Sequence, residues 1–120
     1  ILSGLYFLEY MATTGNTPTQ LLHQLTNLVG PHSYNRKDIA FEQSDQDKIL
    51  MRIHDPNLAE IAGFRILDTD GIDGKRFHIE NGWLAVRFSG TEPLLRVYAE
   101  ASTTSQVQQL LDGVLEYLGI

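Results

Sequence analysis

Apolar residues along the chain change spacing several times, and each change marks an element. Over residues 1–13 they crowd every side of a helix: Ile1, Leu2, Leu5, Tyr6, Phe7, Leu8, Tyr10 and Met11. A helix apolar all round is normally covered on several sides. Its natural partners are therefore expected in residues upstream of those present. Thr14-Gly15-Asn16 breaks the pattern. Thr17 then predicts an N-cap with Pro18 at the first helical position. Leu21, Leu22, Leu25 and Leu28 follow at amphipathic spacing, and Gly30-Pro31 ends that helix.

From Tyr34 the periods shorten. Asp38 to Glu42 predicts a strand. Ser44 can cap a helix from about Asp45 to Ala62, with Leu50, Ile53, Leu58 and Ile61 on one face. Pro56 is its weak point, so a break near Asp55 is one outcome. Phe64 to Asp68 reads as a short strand, and Asp70-Gly71 and Asp73-Gly74 as turns. Lys75 to Glu80, Asn81-Gly82 and Trp83 to Phe88 form a hairpin signature. Leu95, Val97 and Ala99 then alternate with Arg96, Tyr98 and Glu100, as in a half-buried strand. After caps at Ser102 to Ser105, residues Val107, Leu110, Leu111, Val114 and Leu118 trace an amphipathic helix. The order from residue 34 is β-α-β-β-β-β-α. The economical architecture is α+β: an antiparallel sheet of four or five strands with two helices on one face.

Composition narrows the function classes. The 120 residues carry a formal net charge of −6, which disfavours nucleic acid as a partner. A small phosphorylated ligand remains open, because a few local donors can outweigh the global charge. No cysteine is present, so disulfides and thiolate metal sites are excluded, and a reducing, cytoplasmic setting is expected. The apolar opening is too short for a membrane span, which needs about 20 residues, so no membrane partner is expected. Ile1 is not a start methionine, and the chain reads as a piece of a longer protein.

One segment carries chemistry. A strand delivers Arg87, Phe88 turns to the opposite face, and Ser89-Gly90-Thr91 places two hydroxyls around a glycine before Glu92-Pro93. Successive backbone amides in such a loop can form an anion-binding concavity. Gly90 offers close approach and backbone freedom. Arg87 adds a permanent charge and a planar fork matched to phosphate oxygens. Pro93 stiffens the exit. The plainer reading is a hairpin loop with a solvated arginine. Arg96 shares a face with Tyr98, where acidic neighbours can pair with it.

Residues 87–101, from Arg87-Phe88-Ser89-Gly90-Thr91-Glu92-Pro93 through Leu94-Leu95-Arg96-Val97 to Tyr98-Ala99-Glu100-Ala101, resemble the C-terminal signature of the α-D-phosphohexomutases. Tyr34-Asn35-Arg36, Asp70-Gly71 and Asn81-Gly82-Trp83 are similar to that family's approach to the loop. The opening Leu2-Ser3-Gly4-Leu5-Tyr6-Phe7-Leu8-Glu9 with Thr14-Gly15 resembles the last helix of its third domain. The resemblance implies a TBP-like C-terminal domain over 36–120, a hinge over 30–35, and a helical tail of the preceding domain over 1–29. It implies that Arg87, Ser89, Gly90 and Thr91 hold a substrate phosphate, with Glu92 and Pro93 shaping the loop. The family is a phosphoglucomutase/phosphomannomutase group that interconverts hexose 1-phosphate and hexose 6-phosphate. Its phosphoserine, Mg²⁺ loop and sugar-reading loop lie on three upstream domains and have no match here. The resemblance therefore implies no catalytic residue and no metal in this chain, and no turnover by it alone. Phe88 and the Tyr98 to Ala101 stretch suggest the glucose or mannose enzymes over the glucosamine ones. The alternative is a non-catalytic phospho-ligand binding or interaction module of the same fold.

Other candidates have plainer readings. Asp68 to Gly74 lacks the ligand spacing of a calcium loop. His23, His32, His54 and His78 show no metal-ligand spacing. Trp83 is expected in the core.

Overall fold

A computed structural model describes residues 1–120 and divides the chain into two units, Ile1–Pro31 and His32–Ile120. The first holds helices α1 (Leu2–Thr14) and α2 (Pro18–Val29). α1 buries none of its residues, although nearly every face is apolar. Gly15 closes it in the left-handed conformation, with its N–H on the Met11 carbonyl. α2 opens as its sequence predicts. The Thr17 side chain accepts from the Gln20 amide, and the Gln20 side chain accepts from the Thr17 amide. Such a box satisfies two amides that a helix start leaves without partners. Of its apolar stripe only Leu21 is buried.

The second unit runs β1 (Ser33–Ala40), a 3-10 turn (Gln43–Asp45), α3 (Gln46–Ile53), β2 (Glu60–Ile61), β3 (Phe64–Arg65), β4 (Asp68–Asp70), β5 (Lys75–Ile79), β6 (Gly82–Phe88), β7 (Leu94–Ala101) and α4 (Thr104–Leu118). Five strands form one antiparallel sheet in the order β1-β7-β6-β5-β4. This is the α+β architecture the patterning predicts, at its five-stranded limit. Alternation along β6 and β7 sends Leu84, Val86, Leu95, Val97 and Ala99 to one face. There they meet Val107, Leu110, Leu111, Val114 and Leu118 of α4 and Ile49 and Ile53 of α3, all buried. The opposite, open face carries Arg76, His78, Trp83, Arg87, Arg96, Tyr98 and Glu100. Trp83 is therefore not a core residue. Its ring lies 6.3 Å from that of Tyr34 and 5.8 Å from the Arg76 guanidinium.

The helix expected over 45–62 is shorter. α3 stops at Ile53, before Pro56, which has no N–H to continue a helix. Ile61, which the sequence places on that helix's apolar face, enters the core from β2 instead. β2 and β3 form a small hairpin of their own. Its turn, Ala62-Gly63, has φ of 54° and 81°, and two positive φ values suit the twist of a two-residue hairpin. Ala62 is held there by α4: Gln109 Nε2 donates to its carbonyl at 2.9 Å. In the β5–β6 hairpin the turn sits one residue earlier than the sequence suggests. Asn81 takes the positive φ (58°), and Gly82 already pairs with Ile79.

Candidate functional site

Residues 89–93 join β6 to β7 at the end of the sheet where β1 also stops. The Ser89 amide donates to the Leu94 carbonyl at 2.8 Å, and the Leu94 amide to the Glu92 carbonyl at 2.7 Å. The Phe41 amide donates to the Pro93 carbonyl at 3.3 Å, which ties the loop's exit to the residue following β1. Phe88 anchors the other end as expected. Its ring turns to the core side and meets Phe41 edge-on at 5.3 Å. No hydrogen bond within the chain engages the Ser89 or Thr91 hydroxyl, or the Gly90 or Thr91 amide. Four short donors are thus free at the tip.

Gly90 differs from expectation. Its φ lies outside the left-handed region, and a Cβ there would meet nothing within 4 Å. Glycine is not required by the loop's own backbone; what it leaves is open space on the outer side.

Arg87 lies on the open face, and register sets it directly opposite Arg96. Like charges facing each other across a ladder repel, so this pair favours an anion between or above them. Arg87 has one, since its Nη1 donates to Asp73 Oδ2 at 2.6 Å. Arg96 has none. Asp38 faces it in register but is held by Arg36, Nε to Oδ1 at 3.2 Å. Arg96 Nε is buried without a hydrogen-bond partner. The acidic pairing that alternation allows for Arg96 does not form.

A cleft of about 290 Å³ lies against the loop, lined by Phe41, Gln43, Gln46 and residues 88–93. Arg87 does not line it. The motif's contiguous residues are therefore split: Phe88 and the loop face the cleft, while the guanidinium rises from the other side of the sheet. Gln43 and Gln46 escape a sequence reading, because only the 3-10 turn after β1 brings them to this loop. Asp73 also reads as a plain turn residue. The one signal for it is hairpin register: Lys75 opposite Val86 sets the preceding turn beside Arg87.

The neighbouring turn has its own electrostatics. Asp70 Oδ2 lies 2.9 Å from His78 Nε2 and 3.4 Å from Arg76 Nε. The His78 hydrogen bond holds the Asp70 carboxyl below the usual carboxylate range, and the Arg76 charge adds to this. Lys37, with help from Gln108, does the same to Asp112. No group of three or more His, Cys, Asp or Glu side chains in the chain could hold a metal ion. No helix is long and apolar enough to cross a membrane. In the first unit, an apolar cleft of about 440 Å³ is lined by Phe7, Tyr10, Leu21, Leu22, Leu25 and Leu28 among others, and no charged side chain enters it.

The second unit is thus an α+β domain with two opposed guanidiniums on its open sheet face and a loop with free hydroxyls following Arg87. The sequence model of the phosphoglucomutase/phosphomannomutase C-terminal domain matches residues 41–116. The chain is similar to a phosphoglucosamine mutase of Methanocaldococcus jannaschii, 31% identical over 114 residues, covering 93% of this chain and 23% of that one. It is also similar to a phosphoglucomutase/phosphomannomutase of Thermococcus kodakarensis, 30% identical over 104 residues, covering 87% and 21%. In fold it matches a crystal structure from Thermus thermophilus assigned as a phosphomannomutase, with TM-score 0.68 and 24% identity, covering 99% of this chain and 22% of that one. The chain belongs to the phosphoglucomutase/phosphomannomutase family, as its C-terminal domain. It spans about a quarter or less of the length of these curated relatives.

Proposed function

We propose that residues 87–93 grip the phosphate of a hexose phosphate for a cytoplasmic mutase whose other domains lie upstream in the same protein. The carrying observation is the opposed pair Arg87 and Arg96 beside a loop whose Ser89 and Thr91 hydroxyls and Gly90 and Thr91 amides have no protein partner. Arg87 supplies permanent charge and a bidentate fork. Ser89 and Thr91 supply hydroxyls, and Gly90 contributes its amide and open space. Glu92 and Pro93 shape the loop through their carbonyls, which accept from Leu94 and Phe41.

The reaction this serves moves a phosphoryl group between O1 and O6 of a hexose through a bisphosphorylated intermediate. The sugar must turn over midway while one phosphate stays held. A site that recognises phosphate and makes no demand on the ring can hold either end. Phosphoryl transfer itself rests on positioned charge and metal neutralisation. The side chains present here do not fit a metal, so Mg²⁺ and the phosphorylated serine are assigned to the upstream domains, as is the reading of the sugar. Residues 1–29 are assigned to the preceding domain, and the segment around 30–35 to the link, with Ser33 already in β1.

Inorganic phosphate titrated into the ¹⁵N-labelled chain tests the grip. The amides of residues 89–91 should shift with a Kd of roughly 1–10 mM, equivalent to about −3 to −4 kcal/mol. Arg87→Ala should remove the response while leaving the β7 resonances in place. A wild-type chain silent at phosphate several-fold above that range would overturn the reading. Mutase turnover by the chain alone would overturn the assignment of chemistry to the missing domains.

A further inference from the structure

We propose that Asp73 is a positioning residue for Arg87: it holds the guanidinium while the loop is empty and yields it to an arriving phosphate. This rests on the phosphate reading above. The pair is short, Arg87 Nη1 to Asp73 Oδ2 at 2.6 Å, and exposed, with the carboxylate 67% and the arginine side chain 37% accessible.

Its position is enforced by the backbone. Gly74 has φ of 79°, and a Cβ there would overlap the Val86 carbonyl oxygen and lie 2.9 Å from Arg87 Cβ. The turn therefore lies directly on β6 at Arg87, in a conformation suited to glycine. The preceding acid does not compete, because Asp70 is engaged by His78 and Arg76. Beyond the turn, Lys75 Nζ bonds Thr69 Oγ1 at 2.8 Å. The turn is thus braced on both sides, with Asp73 alone directed at Arg87.

Charge explains the need. Arg87 faces Arg96 across the ladder, and Arg96 has no acid of its own. An empty loop without Asp73 would leave two opposed cations unscreened. Strength explains the release. An exposed ion pair contributes about 0.2–1 kcal/mol, whereas a phosphate dianion offers a bidentate, charge-assisted bond. Phosphate can therefore take over the arginine, and the turn at 71–74 loses its tie. Occupancy of the loop is then reported to that turn.

Asp73→Asn in the 120-residue chain tests this. Without phosphate at low salt, the Arg87 Nε–H resonance should move on substitution; an unmoved resonance overturns the pairing. With phosphate, Asp73→Asn should bind about 1.4- to fivefold tighter, the factor corresponding to the pair's strength, and the gain should fade at high salt. Weaker or unchanged binding overturns the release step. In wild type the Asp73 and Gly74 amides should shift together with residues 89–91, and in Asp73→Asn that joint shift should vanish. Asp73→Glu should restore wild-type affinity. If wild type shows no phosphate response at 89–91, the grip itself fails, and the release step with it, while the phosphate-free measurement still judges the pair.

Discussion

Replacing Gly113 by Ala sets two physical effects against each other. In an exposed helix interior, alanine is favoured over glycine by about 0.8–1 kcal/mol. Gly113, however, faces the β2–β3 turn. A Cβ on it would overlap Ala62 Cβ and lie 2.8 Å from Ala62 Cα. Carbon atoms in good contact sit about 3.5–4.0 Å apart, so the turn must retreat by roughly 1 Å. It cannot do so freely. Its two residues hold positive φ, Gln109 bonds its carbonyl, and the preceding Ile61 is buried in the core. Overpacking of this kind costs typically about 1–3 kcal/mol. The steric term wins, and a net loss of about 1–2 kcal/mol is expected. For a unit of this size each kcal/mol lowers Tm by roughly 4–8 °C. Urea unfolding followed by circular dichroism, with an unchanged m-value, measures the loss. Adding Ala62→Gly should return part of it, since Ala62 Cβ is the nearest clashing atom. Gly4→Ala, where a Cβ meets nothing within 4 Å, serves as the propensity control. Should Gly113→Ala be as benign as Gly4→Ala, the steric reasoning is wrong.

Two further outcomes follow from charge. Asp70 and Asp112 have folded pKa values below the ordinary 3.8, through hydrogen bonds from His78 and Lys37 respectively. Their stabilisation is therefore present above the unfolded pKa and is lost as pH falls through the lower folded value. Asp112→Asn should flatten the acid limb of a stability–pH curve below about pH 4; an unchanged slope there would refute the assignment. Arg96→Met removes a buried unpartnered Nε and a like charge opposite Arg87. It should raise the stability of the empty chain by about 1 kcal/mol and weaken phosphate binding, measured by thermal unfolding and the same titration. A variant that loses stability would show that Arg96 serves the fold rather than the ligand.

Local signals account for much of this fold. β7 alternates without interruption, and its buried positions are those the sequence singles out. The cap at Thr17 and the apolar stripe of α4 also sit where side-chain chemistry alone puts them. What failed locally was decided at a distance. Leu58 and Ile61 keep helical spacing from Leu50, yet Pro56 stops the helix, and the core takes Ile61 from a hairpin braced by Gln109 and Gly113. Trp83 is large and apolar, but strand parity turns it to the open face, where Arg76 and Tyr34 cover it. At the candidate site the loop was visible as a motif. The opposition of Arg87 to Arg96 follows only from the strand register, and so does the Asp73 contact, which the close approach of Gly74 to β6 accompanies.

β1 begins at Ser33 beside Ala101 and ends at Ala40 beside Leu94, next to the loop. The strand by which the chain enters the second unit is thus a straight member running from the linker to the candidate site. At about 3.3 Å per residue its eight residues make a lever of roughly 26 Å. Hydrogen bonds to β7 along its whole length, and the bond from Phe41 to Pro93 at its tip, stop it flexing against the loop. Any rotation of the unit about its first residues is therefore amplified at the far end. A turn of about 10° carries the loop roughly 4–5 Å along its arc on a strand lever of this length. The loop and the strand that leads to it therefore move as one piece, with no rearrangement inside the sheet.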